Sequence, residues 1–176
     1  FQYLWKQFDP ELIIGADIDR TMLEKAAEDA DRLPVEIGLV QGNSSRLGLA
    51  DGSVDLLFCH QTFHHLVAQE EAIAEFRRVL RPGGLLLFAE STRCFIHSWT
   101  IRYLFRHPMD KQKSAEEYVS LIRKAGFRIE TDAISYPYLW WSRPDLGIRE
   151  RLFGRPPADH AETLVNLVAI KSTINS

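Results

Sequence analysis

The segment that most constrains the fold is EFRRVLRPGGLLLFAE, from Glu75 to Glu90. Apolar residues recur every three or four positions up to Leu80, which predicts a helix over 70–80 with one buried face. Pro82-Gly83-Gly84 is expected to end that helix and turn the chain. Leu85 to Ala89 is a continuous apolar run, typical of a strand covered on both faces of a parallel sheet. The order predicts an α/β domain with the Glu90 carboxyl group at a strand end, where ligands bind in open α/β sheets.

Strands and helices alternate along the first half of the chain. Apolar strands are predicted at 12–16, 35–40 and 54–59. Asp19 is a candidate cap for the helix after the first strand. The inner face of that helix is predicted to carry Met22, Leu23, Ala26 and Ala27. Short alternation of this kind indicates right-handed crossovers and a parallel sheet.

The pattern changes after the predicted strand at 85–89. A helix is predicted over 114–124, with Ser114 as its cap and Glu117 three residues later, a capping-box arrangement. Strands are predicted at 128–136 and 164–170, and the absence of a helical pattern between them suggests an antiparallel pair at the sheet edge. The segments 94–113 and 136–160 are aromatic and irregular, so we expect them to form a lid or insert on the substrate side.

Composition narrows the class of protein. A chain of 176 residues with 45% hydrophobic and 26% charged residues fits a single globular domain, 1–176. A net charge of −3 gives no reason to expect a nucleic-acid partner, and no apolar run approaches the roughly 20 residues of a membrane span. Cys59 and Cys94 are expected to be buried thiols, and no signal-peptide pattern is seen, so a reducing cytoplasm is expected.

Polar residues follow the first predicted strand. The carboxylate of Asp17 is placed to accept hydrogen bonds from two ribose hydroxyls, although a helix-capping or solvated acid is the alternative. Ile18 follows it, either against an adenine face or in the core. This strand end is a candidate nucleoside site.

The next two strand ends carry polar residues as well. Asn43 and Ser44 have an amide and a backbone N–H suited to an adenine amino group and ring nitrogen, and a simple Gly-Asn-Ser turn is the alternative. His60 and Gln61 are expected to face the same crevice. His64 and its neighbour lack a second cluster of ligands, so no metal site is expected.

Three segments match one family in order and spacing: IIGADIDRTMLEKA, LVQGNSSRLGLADGSVDLLFCHQTFHHL and EFRRVLRPGGLLLFAE. Together they resemble class I S-adenosylmethionine-dependent methyltransferases, most of all the branch with the ubiquinone/menaquinone-biosynthesis enzymes. The resemblance covers 1–127 and includes the strand at 164–170. It implies a Rossmann-like fold, with a mostly parallel sheet, helices on both faces and an antiparallel C-terminal strand pair. It also implies S-adenosylmethionine as the cofactor.

The resemblance also implies roles for single residues. Asp17 matches the ribose-binding acid, and Ile18 the apolar neighbour of the adenine. Asn43 stands in place of the acid that holds the adenine amino group, so the hydrogen-bonding oxygen is kept and the charge is lost. Ser44 matches the position whose backbone meets the adenine ring. His60 and Gln61 match the loop that passes the methionine part of the cofactor.

One part of the family pattern is missing from these residues. The family has a strand and a glycine-rich turn before its first helix, and Phe1 to Phe8 reads as the helix that should follow that turn. The missing strand would be the central one, between the strands that contain Ile13 and Leu56. We therefore expect the chain to be a fragment of a longer protein. If no upstream residues exist, we expect weak or absent cofactor binding.

The implied reaction is an in-line methyl transfer from a sulfonium, in which the protein mainly aligns the reactants and excludes water. A general base is needed only for a protonated acceptor, and His60 is the first candidate for it and Glu90 the second. A small apolar or aromatic acceptor is expected to meet the aromatic segments. The candidate substrate residues there are His97, Trp99, Tyr103, Trp140, Trp141 and Arg143.

Alternatives stay open at this point. The aromatic segments could form a helical lid packed on the core, or a basic aromatic surface in peripheral contact with lipid. The fold could belong to a catalytically inactive binding or scaffold subunit. A nicotinamide-dependent dehydrogenase would also place an acid on a ribose, but no G-x-G-x-x-G motif supports it. The acceptor and the oligomeric state do not follow from the sequence.

Overall fold

The computed structural model describes residues 1–96, 112–137 and 162–173, together with Ile148, Leu152 and Gly154. These residues divide into two compact units, Phe1–Leu49 and Ala50–Ser176. The predicted insert segments 94–113 and 136–160 lie mostly outside the described residues. Within the described residues, no helix is long and apolar enough to cross a membrane.

The first unit is a strand–helix–strand arrangement preceded by a short helix. Its elements are α1 Gln2–Phe8, β1 Leu12–Asp17, α2 Arg20–Ala30 and β2 Glu36–Gln41. The two strands pair in parallel, and Asp17 lies opposite Gln41 at their carboxyl ends. The helix at 1–8 and the first two strands are therefore confirmed to within a residue or two.

The helix α2 begins where its capping residue predicts. The Asp19 side chain accepts a hydrogen bond from the Thr21 N–H at 2.8 Å, which satisfies one of the free donors of the first turn. The half-buried stripe of α2 consists of Leu23, Ala26, Ala27 and Ala30. Met22 was predicted on this inner face and is 51% exposed, because the stripe with helical spacing begins one residue later.

The second unit is built around a mixed sheet. Its strands are β3 Val54–His60, β4 Leu80–Ser91, β5 Phe127–Arg128, β6 Ile134–Ser135 and β7 Leu164–Lys171. Its helices are α3 Gln69–Val79, α4 Arg93–Ile96 and α5 Ala115–Lys124, with 3₁₀ turns at Phe63–His65 and Thr131–Ala133. The strand order is β3-β4-β7-β5, with β6 also pairing with β7.

The directions of these strands confirm most of the predicted topology. β3 and β4 are parallel, and β7 is antiparallel to β4, β5 and β6. Two details differ from expectation. β7 lies inside the sheet, where it pairs on both sides. The predicted strand at 128–136 is divided into β5 and β6 by the second 3₁₀ turn, which Thr131–Ala133 form.

The Pro-Gly-Gly sequence forms a bulge inside β4 and does not precede the strand. Val54 lies opposite Leu80, and the next ladder pair joins Leu56 to Leu85. Residues 81–84 therefore bulge out of the ladder. Gly83 has φ +76°, a conformation that glycine adopts without steric cost. A Cβ on Gly84 would lie 2.9 Å from the Arg81 carbonyl oxygen, so the bulge closes tightly around this glycine.

An aromatic cluster forms the centre of the second unit. Phe63 packs edge-on against Phe88 at 5.2 Å between ring centroids and against Tyr118 at 6.1 Å. Phe76 of α3 lies 6.1 Å from Phe63. These rings belong to two helices, a strand and a 3₁₀ turn, so the cluster joins both helices to one face of the sheet.

The opposite face of the same sheet is more open. Leu86 and Phe88 of β4 are buried, whereas Leu85 and Leu87 are half-buried and Phe58 on β3 is 48% exposed. Two-sided cover of the run 85–89 was predicted, and the described residues bury one side well. The strands β1 and β3 belong to separate sheets, each with one edge that has no partner among the described residues. The central strand that the family pattern places between β1 and β3 stays a prediction.

The two cysteines are free and differ in environment. Cys59 is buried, as predicted, in β3. Cys94 is exposed in α4, so the expectation of two buried thiols is wrong for this residue.

Candidate cofactor site

The end of β1 presents a carboxylate and an apolar side chain. Asp17 is half-buried, and its Oδ1 accepts a hydrogen bond from the Asp19 N–H at 2.8 Å. Among the described residues, the Asp19 N–H is the donor that contacts the Asp17 carboxylate. Oδ2 of Asp17 is therefore available to a further donor. Ile18 is 68% exposed. An uncovered aliphatic side chain next to an available carboxylate oxygen fits the sugar and base of a nucleoside.

The end of β2 is joined directly to this strand end. The Gly42 N–H donates to the Asp17 carbonyl oxygen at 2.9 Å, and Gln41 Nε2 donates to the Ile18 carbonyl oxygen at 3.2 Å. The two predicted nucleoside-binding turns of the first unit are therefore adjacent, as parallel neighbouring strands require. The two turns lie together because the register of β1 and β2 places Asp17 opposite Gln41.

Asn43 uses its amide oxygen within its own turn. Asn43 Oδ1 accepts hydrogen bonds from the Ser45 N–H and the Ser45 hydroxyl, each at 3.0 Å. The Arg46 N–H donates to the Asn43 carbonyl oxygen at 2.7 Å. This is the turn-forming alternative, and it occupies the oxygen that the family resemblance assigns to the adenine amino group. Ser44, half-buried between them, keeps its predicted position beside the strand end.

In the second unit, His60 and Gln61 lie at the end of β3, as predicted. The His60 side chain is exposed on the open face of the sheet, with its ring stacked on Phe58 at 5.7 Å between centroids. Gln61 has φ +52°, an uncommon conformation for a residue with a side chain. Its N–H donates to the Ala89 carbonyl oxygen at 2.8 Å, and its Oε1 accepts from the Ser91 hydroxyl at 2.5 Å.

Glu90 lies on the covered face of the sheet and is completely buried. Its Oε1 accepts hydrogen bonds from the Thr62 and Phe63 N–H groups, both at 2.6 Å. Its Oε2 lies 2.5 Å from His64 Nδ1, on a ring that is also buried. Both oxygens are therefore occupied by groups of the protein. This geometry favours a positioning role for Glu90, and its catalytic role stays a prediction.

The buried charge affects its neighbours. Burial, followed by the charge of Glu90, raises the pKa of the Cys59 thiol far above its ordinary value. The same two causes, in the same order, raise the pKa of the Tyr118 phenol. Both groups are consequently neutral at physiological pH, and neither provides a thiolate or phenolate for chemistry.

Sequence reasoning missed this buried cluster. Leu86, Phe88 and Glu90 alternate along β4 and share one face, so the period of two was the available signal. A carboxylate in line with two core residues needs donors, and the N–H groups of the 3₁₀ turn supply them. Residue order alone did not identify His64 as the third partner. The described residues contain no group of three or more potential metal ligands.

The substrate residues predicted in the aromatic segments lie outside the described residues. They are His97, Trp99, Tyr103, Trp140, Trp141 and Arg143. The described positions that flank these residues in the sequence include Ile96, which is buried at the end of α4, and Pro137, which is half-buried.

Comparison with known proteins identifies the family. Residues 1–88 match the family model described as a methyltransferase domain. The chain is 30% identical over 119 residues to a probable S-adenosylmethionine-dependent methyltransferase of Mycolicibacterium smegmatis, covering 67% of this chain and 44% of that protein. It is 28% identical over 129 residues to the ubiquinone/menaquinone biosynthesis C-methyltransferase of Salmonella arizonae, covering 72% of this chain and 47% of that protein.

A solved structure shares the fold of this chain. The crystal structure of a SAM-dependent methyltransferase from Aquifex aeolicus superposes with a TM-score of 0.65 at 17% identity, covering 97% of this chain and 74% of that one. The chain spans less than half the length of the two curated relatives. The family model, the relatives and the Rossmann-like topology agree: the chain belongs to the class I S-adenosylmethionine-dependent methyltransferases.

Proposed function

We propose that this protein transfers a methyl group from S-adenosylmethionine to a small apolar or aromatic acceptor, in the cytoplasm. The observation that carries the proposal is the joined pair of strand ends in the first unit. There Asp17 has a carboxylate oxygen available, and Ile18 is exposed beside it. Family membership supplies the donor, and this geometry is what the ribose and adenine of that donor require.

In this proposal Asp17 accepts hydrogen bonds from the ribose hydroxyls, and Ile18 lies against the adenine. Ser44 offers its backbone to the adenine ring. Asn43 holds the turn through Ser45, so a bond from its Oδ1 to the adenine amino group requires that turn to give up one of its own bonds. We therefore assign more of the binding energy to Asp17 than to Asn43.

When bound, S-adenosylmethionine supplies an activated methyl group on a sulfonium, so the protein needs to align it and exclude water. His60 and Gln61 are proposed to meet the methionine part. His60 is the better candidate base for a protonated acceptor, because its imidazole is exposed whereas Glu90 has no exposed surface. The aromatic segments 94–113 and 136–160 are proposed to contact the acceptor. Peripheral lipid contact by these segments is the alternative that vesicle sedimentation would detect.

Calorimetric titration with S-adenosylmethionine and its demethylated product tests the proposal. Asp17→Ala should weaken binding by about 10- to 100-fold, because hydrogen bonds to a charged acceptor are lost. Asp29→Ala is the matched control, since among the described residues the partner of this exposed acid on α2 is the exposed Arg32. Equal binding by Asp17→Ala and wild type would contradict the ribose role. No binding by the complete wild-type protein, with any residues that precede Phe1, would contradict the function.

Turnover with a panel of aromatic acceptors tests His60. His60→Ala should lower kcat for hydroxyl or carbon acceptors while the donor Kd changes less. Binding of the donor without turnover on any acceptor would favour the inactive scaffold alternative. An unchanged kcat in His60→Ala would remove this residue as the base.

A further inference from the structure

Burial of the Glu90 carboxylate carries a large desolvation cost. The side chain has no exposed surface, and burying a charge is costly unless the group is well hydrogen-bonded. Three partners within 2.6 Å meet that need: the Thr62 and Phe63 N–H groups and the His64 ring. All three lie in the segment that follows β3. The carboxylate therefore joins the end of β4 to the exit of β3.

The same exit segment is held at a second point. Gln61 has φ +52°, a conformation that costs a residue with a side chain about 1 kcal/mol or more. Two bonds from β4 oppose that cost, one from the Gln61 N–H to the Ala89 carbonyl oxygen and one from the Ser91 hydroxyl to Gln61 Oε1. Three successive residues of β4, 89–91, thus fix residues 61–64.

The two faces of the sheet separate the two roles. His60 and Phe58 lie on the open face, whereas Glu90 lies on the covered face with Phe88. Glu90 has no exposed surface, so its carboxylate is not accessible to an acceptor in this conformation. Through its bonds to Thr62, Phe63 and His64, Glu90 can still fix the backbone conformation in which the chain leaves β3.

We propose that Glu90 is a positioning residue, which holds residues 61–64 in one conformation so that His60 and Gln61 are presented to the methionine part of the donor. The inference rests on the proposed function, because it needs a donor for the loop to meet. Glu90 itself touches neither donor nor acceptor. A small misplacement of such a loop is enough to lower affinity and turnover together.

Two variants and one control test the inference in the full chain. Glu90→Gln keeps one carbonyl oxygen for the two N–H groups and loses the charge, and Glu90→Ala removes every bond. Glu75→Gln is the control, because Glu75 is also a buried acid but pairs with Arg78 in α3. We expect the donor Kd to rise about 100-fold in Glu90→Ala, about 10-fold in Glu90→Gln and less than about 2-fold in Glu75→Gln.

A local readout separates positioning from general destabilisation. Amide hydrogen exchange of Thr62 and Phe63 should accelerate more in Glu90→Gln than exchange in α5, whereas Glu75→Gln should leave these two amides unchanged. All measurements are made at a temperature at which circular dichroism shows each variant to be folded. If Glu90→Ala does not fold, Glu90→Gln carries the test.

The outcomes are distinguishable. A complete wild-type protein, with any residues that precede Phe1, that does not bind S-adenosylmethionine overturns the proposed function and the inference with it. Wild type that binds, with folded Glu90→Gln binding equally well, overturns the inference alone. A Glu90→Gln variant with an unchanged donor Kd and a greatly reduced kcat also overturns it, since that pattern belongs to a catalytic base.

Discussion

The two units of the chain differ in how their strand ends are held. In the first unit, Asp17 and Asn43 make their side-chain bonds to residues two positions away, to Asp19 and Ser45. In the second unit, Glu90 bonds to residues 26 to 28 positions away in the sequence. The first arrangement is local turn chemistry at half-buried or exposed positions. The second is a buried network that exists only in the folded sheet.

The hydrophobic cores of the two units also differ, and that of the second unit is the more extensive. Among the described residues of the first unit, Ile13 and Leu47 are the buried hydrophobic residues, and neither α1 nor α2 contains a buried residue. The second unit has the aromatic cluster around Phe63 and covered faces on both α3 and α5. The strand ends proposed to bind the nucleoside are therefore held by local turns over a small hydrophobic core, whereas the Glu90 network depends on packing.

The largest expected effect is in the aromatic cluster. Phe63→Ala removes a ring with no exposed surface and should lower the free energy of unfolding by about 3–5 kcal/mol. Phe58→Ala is the matched control, and since that ring is half-exposed the loss should stay below about 1.5 kcal/mol. Urea unfolding followed by circular dichroism measures both. Equal losses would show that the second unit does not depend on this cluster.

A neighbouring pair in β1 gives the corresponding test in the first unit. Ile13→Ala should cost about 2 kcal/mol, the low end for a buried aliphatic residue, because few other buried groups surround it. Ile14 points to the other face and is exposed, so Ile14→Ala should cost less than about 1 kcal/mol. If Ile13→Ala costs as much as Phe63→Ala, the contrast between the two cores fails.

Two helix caps sharpen the comparison on a smaller scale. Ser114 and Glu117 form a reciprocal capping box at α5, whereas the Asp19 side chain caps α2 by accepting one hydrogen bond, from the Thr21 N–H. Ser114→Ala should therefore cost about 1 kcal/mol or slightly more, and Asp19→Ala about 0.5–1 kcal/mol. Thermal unfolding of the two variants beside wild type provides the measurement. A larger loss in Asp19→Ala would reverse the expected order.

The smallest expected effect is a pH dependence at Glu117. A hydrogen bond from the Ser114 N–H, and then the Arg93 side chain, lower the pKa of this carboxyl group. A lowered folded-state pKa stabilises the fold above the unfolded-state pKa of about 4.3, and that stability is lost as the pH falls through the folded-state pKa.

Because the Glu117 side chain is 48% exposed, we expect a few tenths of a kcal/mol. The stability difference between wild type and Glu117→Gln should shrink between pH 7 and pH 3 in urea titrations. A difference that stays constant over that range would contradict the assignment.

Much of the fold follows from local patterns in the sequence. The cap at Asp19, the box at Ser114 and the apolar runs of β1, β2, β3 and β7 are short-range signals, and the structure places each within about two residues of its prediction. The bulge at 81–84 was not predicted. Pro-Gly-Gly has the composition of a turn, and only the pairing of Val54 with Leu80 makes it part of a strand.

The candidate site also has a part that local patterns predict and a part that depends on tertiary structure. The positions of Asp17 and His60 follow from where strands end, which apolar runs reveal. The burial of Glu90 follows from which face of β4 the helices cover, and that is a tertiary property. Sequence reasoning therefore identified Glu90 as a candidate at a strand end, whereas its burial on the covered face was not predicted.

The bulge at 81–84 has a practical consequence for engineering. Its residues lie outside the β3–β4 ladder, and Arg81, Pro82 and Gly83 are exposed. A one-residue insertion after Gly83 would lengthen an unpaired segment, so the pairing of Leu85 with Leu56 need not slip by one place. A single inserted residue is therefore expected to disturb the sheet less here than between paired residues of β4, at a point far along β4 from the carboxyl ends of the strands.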